Sequence, residues 1–296
     1  MNNLTILLYR IIIPKYFRRK IQARRLPVSI FKYYKNYPEA LSPDFELILD
    51  YLKTNPITML PYDFQNQYLA DDVEVFDDPE TGLRYVLQDD KKLYFKRRWN
   101  ASKIKKVYND LLKEQDLQSP HRYLSEDFQF DDGEVLIDAG AAEGNFAVSV
   151  VEQASRIFLF EPDREWIDPL RATFAPWNDK VTIIHKFAGD INSSRQTTLD
   201  DVIPPGDKGL FLKADVEGAE LRLLKGAVKI ISGQRPLKIA ICTYHKHDDE
   251  RELSGLLSQY DFKISTSEGY MLPMFDKKIK APYFRRALIR AEKIII

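Results

Sequence analysis

An acid and a histidine stand just beyond two apolar runs, where they could move a proton. Asp215 follows the run 210–214, and His245 lies two residues beyond the run 237–243. Histidine titrates near neutral pH, so His245 could take the proton of a hydroxyl group directly. Alternatively, a divalent cation bound by Asp215, His245 and Asp248 could lower the pKa of that hydroxyl. The predicted catalytic residues are therefore His245 and Asp215, and metal dependence is left open.

A glycine turn follows a third apolar run, in the segment VLIDAGAAEGNF at 135–146. Glycine lets the backbone approach a ligand closely, and a helix beginning there offers unpaired N–H groups. A dinucleotide fingerprint, G-x-G-x-x-G, would need a second glycine where Ala142 stands. The pattern is instead D-x-G-x-x-x-G, which disfavours a nicotinamide cofactor. Six residues of this segment are predicted to contact a cofactor: Asp138, Gly140, Ala141, Glu143, Gly144 and Asn145.

A second acid lies at the distance expected for binding a ribose. Glu161 ends the next apolar run, 21 residues beyond Gly140. One strand, turn, helix and strand bring an acid at that spacing back to the carboxyl edge of the sheet, where it can accept hydrogen bonds from both ribose hydroxyls. Pro162 and Asp163 complete this predicted cofactor turn, although Asp163 also fits the N-cap of the following helix.

Apolar runs alternate with helical stretches after residue 134, which is typical of a parallel sheet wrapped by crossover helices. The turn at Gly189 and Asp190 follows the third run, and it either contacts an adenine ring or forms an ordinary turn. The predicted strands are 135–138, 157–160, 181–185, 210–214 and 237–243, with helices beginning near Gly144, Asp163, Glu217 and Asp248. Two closing strands, an antiparallel pair, are predicted at 261–266 and 287–291.

Together these segments resemble the FkbM family of class I S-adenosylmethionine-dependent methyltransferases. The resemblance spans 134–293 and includes the glycine turn, the F-E-P turn ending at Pro162, Thr198-Leu199-Asp200, and the D-V-E-G-A-E segment from Asp215. It implies an α/β fold, namely a Rossmann-like class I methyltransferase sheet that is mostly parallel with an antiparallel closing strand. It also implies S-adenosyl-L-methionine as cofactor and O-methyl transfer as the reaction.

The resemblance also suggests an acceptor. The lead-in 114–124 is similar to that of members from bacterial polysaccharide gene clusters, which implies a hydroxyl of a saccharide or lipid-linked glycan. Three other functions remain open. They are methylation of another small-molecule or natural-product hydroxyl, a nicotinamide-dependent oxidoreductase, and a non-catalytic adaptor that keeps a cofactor pocket.

Charge is distributed unevenly along the 296 residues, although 44 basic and 44 acidic side chains balance overall. Nine basic residues precede the first acid, Glu39, and an apolar stretch between Leu4 and Ile13 lies ahead of most of them. This basic arm, 1–38, either makes peripheral contact with an anionic membrane surface or packs on the body or a partner. Because the remaining body is acidic, no nucleic-acid partner is expected.

The predicted organisation follows from these patterns. An accessory cap with helices and a small β-meander is predicted at 39–124, and the methyltransferase domain at 125–296. A single cysteine, Cys242, excludes a disulfide framework within the chain and fits a reducing compartment. The sequence therefore predicts a cytoplasmic protein, with the inner membrane surface as the site of any peripheral contact. The oligomeric state stays open.

Overall fold

The computed structural model describes the backbone of residues 15–293 and the side chains of residues 25–293. The chain forms two compact units, one from 15–65 and 269–285 and the other from 66–268 and 286–293. The apolar stretch of the predicted arm, between Leu4 and Ile13, lies outside the described residues. The compact units divide the chain at positions other than 38 and 124. The domain boundaries at those two positions stay a prediction.

The first unit is helical. Helix α1 spans Lys15–Asn36 and helix α2 spans Pro43–Thr54, with a short 3-10 helix at Pro38–Ala40 between them. Ser42 caps α2 by accepting a hydrogen bond from the backbone N–H of Phe45. The unit's core is formed by Leu26, Ile30, Tyr34, Phe45, Ile48, Leu49, Tyr51, Leu52, Leu272 and Phe284.

The described part of α1 leaves its charges on the surface. Arg25, Lys32 and Lys35 are exposed, whereas Leu26 and Ile30 on the opposite side are buried. Among the described residues, no helix is both long enough and apolar enough to cross a membrane.

The second unit begins with an antiparallel meander of β1 (Phe76–Asp78), β2 (Leu83–Gln88) and β3 (Lys91–Tyr94). A two-residue turn of Asp89 and Asp90, both with positive φ, joins β2 to β3, and the four residues 79–82 join β1 to β2. Helix α3 follows at Ala101–Glu114, and Asn100 caps it by accepting a hydrogen bond from the N–H of Lys103.

A seven-stranded sheet forms the centre of the second unit and confirms the predicted fold class. Its strands are β4 (Val135–Ala139), β5 (Arg156–Phe160), β6 (Val181–Ile184), β9 (Leu210–Ala214), β10 (Leu237–Cys242), β11 (Lys263–Thr266) and β12 (Leu288–Lys293). The strand order is β11-β12-β10-β9-β4-β5-β6. Five strands are parallel, and β12 pairs antiparallel with both β10 and β11.

The helices that flank the sheet are α4 (Asn145–Ser149), α5 (Arg164–Thr173), α6 (Leu199–Val202), α7 (Glu220–Lys225), α8 (Val228–Ser232) and α9 (Asp249–Leu257). Helix α7 begins three residues later than predicted, because Glu217 and Gly218 have positive φ and form a turn first. A short parallel pair, β7 (Phe187–Ala188) and β8 (Gln196–Thr197), was not predicted, since two residues show no periodicity.

Register places the ends of the central strands side by side. Ala139 at the end of β4 pairs with Ala214 at the end of β9, and Ala214 pairs with Ile241 of β10. Each of these strands is buried along its whole length. The residues that follow them therefore meet at one edge of the sheet, as the sequence predicts.

Candidate functional site

The glycine turn, residues 140–144, follows β4 in a conformation that requires glycine. Gly140 has φ 80°, and a Cβ there would lie 1.9 Å from the backbone oxygen of Asp215. The N–H of Asp215 donates to the oxygen of Ala139 at 3.0 Å, which holds the two strand ends together. Gly144 has φ 84°, and its Cβ would lie 2.8 Å from the ring of Phe174. Close approach of the chain therefore explains both predicted glycines.

Glu161 lies against this turn with both carboxylate oxygens bound. Oε2 accepts from the N–H of Ala142 at 2.8 Å, and Oε1 accepts from the N–H of Asp163 at 2.7 Å. Burial raises the pKa of Glu161, while these two N–H donors oppose the shift. Each oxygen keeps a second lone pair, so the carboxylate can still accept hydrogen bonds from a ribose.

The other two residues of the predicted cofactor turn, Pro162 and Asp163, are engaged locally. Asp163 caps α5 by accepting a hydrogen bond from the N–H of Glu165 at 3.0 Å, and it forms an ion pair with Lys96. The side-chain hydrogen bond from Lys96 lowers the pKa of Asp163. The oxygen of Pro162 lies 3.1 Å from Nε2 of His185. The main role of the Asp163 side chain in this structure is therefore to cap α5.

A buried lysine that the sequence analysis did not single out supports the turn from below. The Nζ atom of Lys213 lies 3.0 Å from Oδ1 of Asp138 and donates to the oxygen of Gly140 at 2.7 Å. Burial alone would lower the pKa of Lys213, but the charges of Asp138 and Asp215 raise it. Burial raises the pKa of Asp138, and Lys213 opposes that shift. The sequence offered one signal for this contact, because Lys213 is a charged residue within the apolar run 210–214.

The remaining predicted cofactor residues differ in surroundings. Glu143 is buried, and burial raises its pKa to about 8, so it is protonated at neutral pH. Ala141 is buried and donates its N–H to the oxygen of Phe160, and the oxygen of Asn145 accepts from Gln88. The hydrogen bonds described for Gly189 and Asp190 connect to residues 196–197, as in a local turn.

Asp215 is the centre of a second group of polar side chains, the Asp215 cluster, which consists of His121, Tyr123, Asp215, Cys242, Tyr244 and His245. The hydroxyls of Tyr123 and Tyr244 donate to its carboxylate at 3.3 and 3.5 Å. Nε2 of His245 lies 3.4 Å from Oδ1, and Nε2 of His121 lies 3.7 Å from Oδ2. Burial alone would raise the pKa of Asp215, but the two imidazoles and Lys213 hold it well below its usual range.

The structure brings the two predicted catalytic residues together but alters the expected charge of one. Nδ1 of His245 lies 3.0 Å from Oε1 of the buried Glu220, and its Nε2 lies 3.8 Å from Glu217. Burial alone would lower the pKa of His245, but Glu220, Asp215 and Glu217 raise it to about 9. His245 therefore carries a proton at neutral pH, so the acceptor role expected from an ordinary histidine requires that proton to leave first.

Asp248, the third residue of the hypothetical metal site, lies apart from these groups. Its carboxylate contacts Arg251 at 3.2 Å at the beginning of α9, and the following residue, Asp249, is the buried acid. Within the described residues, two sets of side chains place possible ligand atoms within 4.8 Å of one another. One set is His121, Asp215 and Cys242, and the other is Asp215, Glu220 and His245.

Comparisons with known proteins complete the description. No family model matches the sequence, and no curated protein matches it. Among solved structures, the fold is similar to the methyltransferase FkbM from Methylobacillus flagellatus, with TM-score 0.45 and 19% identity over 80% of this chain and 63% of that one.

Two other solved structures are also similar in fold. A putative methyltransferase from Streptococcus mutans, SMU.1697c, solved in complex with SAH, gives TM-score 0.38 and 16% identity over 55% of this chain and 90% of that one. Trm5b from Pyrococcus abyssi gives TM-score 0.39 and 14% identity over 71% of this chain and 55% of that one.

Proposed function

We propose that this protein is an S-adenosylmethionine-dependent methyltransferase that transfers the methyl group to a hydroxyl oxygen. The glycine turn carries the proposal: Gly140 and Gly144 bring the backbone to the carboxyl edge of the sheet, and the buried Glu161 lies against them. In an open α/β sheet this edge is where ligands bind. The D-x-G-x-x-x-G pattern then assigns the turn to the cofactor that the resemblance implies.

The same turn disfavours a nicotinamide cofactor. Ala142 has φ 47° and stands where a dinucleotide fingerprint has its second glycine, the one against which a pyrophosphate packs. Its N–H donates to Glu161 at 2.8 Å and is therefore directed toward the acid. This geometry supports a cofactor that presents a ribose to Glu161 without placing a diphosphate on the turn.

Asp215 is the group that we assign to the acceptor hydroxyl. Its side chain keeps 21% of its surface exposed, follows the strand next to β4, and is anionic because its pKa is depressed. S-adenosylmethionine supplies an electrophilic methyl group, and Asp215 would orient the acceptor by accepting a hydrogen bond from its hydroxyl. As the new C–O bond forms and the C–S bond breaks, the hydroxyl proton must leave the acceptor.

The acceptor itself is proposed from the resemblance of residues 114–124, which favours a saccharide or lipid-linked glycan. Another natural-product hydroxyl is the second candidate. The exposed basic residues of α1 support peripheral contact with an anionic membrane surface. The absence of a nucleic-acid partner stays a prediction from the acidic body.

Calorimetric titration with S-adenosylmethionine, S-adenosylhomocysteine and NAD tests the cofactor. We expect the two sulfur compounds to bind and NAD to give no heat. Glu161→Gln should weaken binding about tenfold or more, since it loses charged hydrogen bonds to the ribose. Asp163→Asn is the matched control, because it removes a neighbouring acid that caps α5, and its affinity should stay within about twofold. Binding of NAD alone would refute the proposal.

Methyl transfer is tested with lipid-linked and free saccharides as acceptors. Asp215→Asn should lower turnover while leaving the affinity for S-adenosylmethionine nearly unchanged. If the wild-type protein binds the cofactor but methylates neither the saccharides nor a panel of natural-product alcohols, the non-catalytic adaptor becomes the better description.

A further inference from the structure

Three side chains from distant segments meet inside the Asp215 cluster. His121 precedes the sheet, Asp215 follows β9, and Cys242 ends β10. One possible ligand atom of each lies within 4.8 Å of the others. His121 is only 1% exposed and Cys242 is fully buried. The fold therefore assembles a nitrogen, an oxygen and a sulfur donor at one buried point.

The distances among these atoms are close to those between two ligands of one metal ion. Nε2 of His121 lies 3.7 Å from Oδ2 of Asp215 and 3.7 Å from Sγ of Cys242. An N–H···O bond is normally about 2.7–3.2 Å long. Two ligands of one tetrahedral zinc ion, with bonds of about 2.0–2.3 Å, are roughly 3.3–3.7 Å apart. The 3.7 Å between Nε2 and Sγ is also an ordinary length for a hydrogen bond to sulfur, whereas the 3.7 Å between Nε2 and Oδ2 is long for a hydrogen-bonded ion pair. Both separations fit ligands of one ion.

The imidazole of His121 has no strong hydrogen bond at either nitrogen. Its Nδ1 atom is buried and has no partner within the part of the chain that the structure describes. Its Nε2 atom has only the thiol of Cys242 and the distant carboxylate within reach. A metal ion at Nε2 would give this buried imidazole one strong contact, while Nδ1 would still lack a partner among the described residues.

The second set of possible ligands shares part of this feature, since Oε2 of Glu220 is buried without a hydrogen-bond partner among the described residues, but its other oxygen is engaged. Oε1 of Glu220 accepts from the N–H groups of Val216 and Gly218 at 3.1 and 3.2 Å, and it lies 3.0 Å from Nδ1 of His245. That oxygen is already used by the protein. The set around His121 is preferred because it contains a thiol, a zinc ligand that the second set lacks.

We propose that His121, Asp215 and Cys242 bind a divalent transition-metal ion, with zinc the ion that their donors favour. A thiolate and an imidazole are poor ligands for magnesium or calcium and good ones for zinc. On binding, the thiol of Cys242 releases its proton to solvent and forms an S–metal bond. Asp215 is the only ligand of the three with appreciable exposure, so the fourth position opens on its side. Tyr123, which donates to the same carboxylate, would hold that ligand in orientation.

This inference extends the proposed function but does not depend on it for metal binding. If the methyltransferase assignment holds, the acceptor hydroxyl would bind at the open fourth position of the ion. The ion would then lower the pKa of that hydroxyl.

The test uses the full chain purified without chelators. We expect about one zinc per chain by elemental analysis, and Co²⁺ titration of the stripped protein should give the intense visible bands of a tetrahedral site together with a sulfur-to-cobalt charge-transfer band. Cys242→Ser should abolish the charge-transfer band, and His121→Gln should weaken Co²⁺ binding at least about tenfold. His247→Gln, at an exposed histidine five residues beyond Cys242, is the control and should behave as wild type.

Several results would overturn the inference. They are the absence of bound zinc and cobalt, binding that persists unchanged in both ligand variants, and cobalt bands without a sulfur contribution. If neither zinc nor cobalt binds, the contact between Cys242 and His121 is a thiol–imidazole hydrogen bond and nothing more. Circular dichroism of each variant, together with the zinc-induced rise in the melting temperature, shows whether a loss of binding reflects unfolding. Wild-type protein that folds without any zinc-induced rise would also contradict a bound ion.

Calorimetry with S-adenosylmethionine on stripped and zinc-loaded protein separates the two proposals. Cofactor binding without metal binding would disprove the metal site and leave the methyltransferase assignment standing. Metal binding that depends on Cys242 without any cofactor binding would do the reverse.

Discussion

Two polar regions lie at the same edge of the sheet and are completed in different ways. In the glycine turn, Glu161 and Lys213 make contacts of 2.7–3.0 Å, mostly with backbone groups. Around Asp215, the nearest side chains stand 3.3–3.7 Å away. In the first region, short contacts hold Glu161 and Lys213 in place, although the carboxylate of buried Asp138 has only its ion pair with Lys213 among the described residues. The second holds its groups slightly apart, as is expected where a ligand completes the arrangement.

The largest expected effect comes from filling the point where the two regions touch. Gly140→Ala would place a Cβ 1.9 Å from the backbone oxygen of Asp215 at a positive φ. We expect it to lower the free energy of unfolding by more than about 4 kcal/mol. Gly133→Ala is the matched control, because its φ is 85° but no atom lies within 4 Å, and it should cost about 1 kcal/mol. If urea denaturation shows equal losses of unfolding free energy in the two variants, the close approach between Gly140 and Asp215 does not contribute to stability.

Removing the lysine beneath the turn should have the next largest effect. Lys213→Met leaves the carboxylate of Asp138 buried without its cation, and we expect a loss of about 4 kcal/mol in unfolding free energy. Adding Asp138→Asn should restore part of this loss, because the uncompensated charge is then gone. If the double variant is as unstable as the sum of both single variants, the ion pair is not what holds the glycine turn in place.

Glu143 provides a smaller effect that depends on pH. Its pKa rises from 4.5 to about 8 in the folded protein, so the folded state holds the proton more tightly than the unfolded chain does. This contribution to stability is complete below pH 4.5 and is lost as the pH rises toward 8. Urea denaturation at pH 5 and pH 8 should show that the stability of Glu143→Gln changes less with pH than that of wild type, by about 3 kcal/mol. If the stability of wild type and of Glu143→Gln changes equally with pH, the carboxyl group of Glu143 is in contact with water and its pKa is not raised by burial.

The smallest effect is expected at Asp248. Its side chain is half-exposed and pairs only with Arg251 and its own helix in the contacts described, so Asp248→Asn should change stability by less than about 0.5 kcal/mol. Co²⁺ binding should also be unchanged. A clear loss of cobalt affinity in this variant would extend the Asp215 cluster to α9 and weaken the contrast between the two regions.

The sheet could be predicted well because its strands are continuous apolar runs. The predicted run 210–214 matches β9 in full, and the antiparallel closing pair is confirmed. The turns at Gly140 and Glu161 were also recognisable, because glycine and acid spacing reports directly on backbone geometry.

The Asp215 cluster was only partly predictable. Asp215 and His245 follow strands and could be placed at the edge, but His121 and Tyr123 come from a lead-in segment without periodicity, and nothing local indicates which strand end they reach. The pKa of His245 was also inaccessible, since Glu220 approaches it only after the turn at Glu217 has formed. The spacing of residues in the sequence predicts where they lie along a helix or strand. The protonation state of a side chain depends on which other elements pack against it.

The position of β12 has a consequence for biosynthesis. This strand follows β11 in the chain yet lies between β10 and β11 in the sheet, and the N–H of Thr243, next to Cys242, donates to the oxygen of Ala287. While a ribosome is still making residues 243–287, one side of β10 must remain an unpaired edge. Such an edge is open to association with other strands. Nascent chains of this protein should therefore need protection until the last strand has emerged and been inserted.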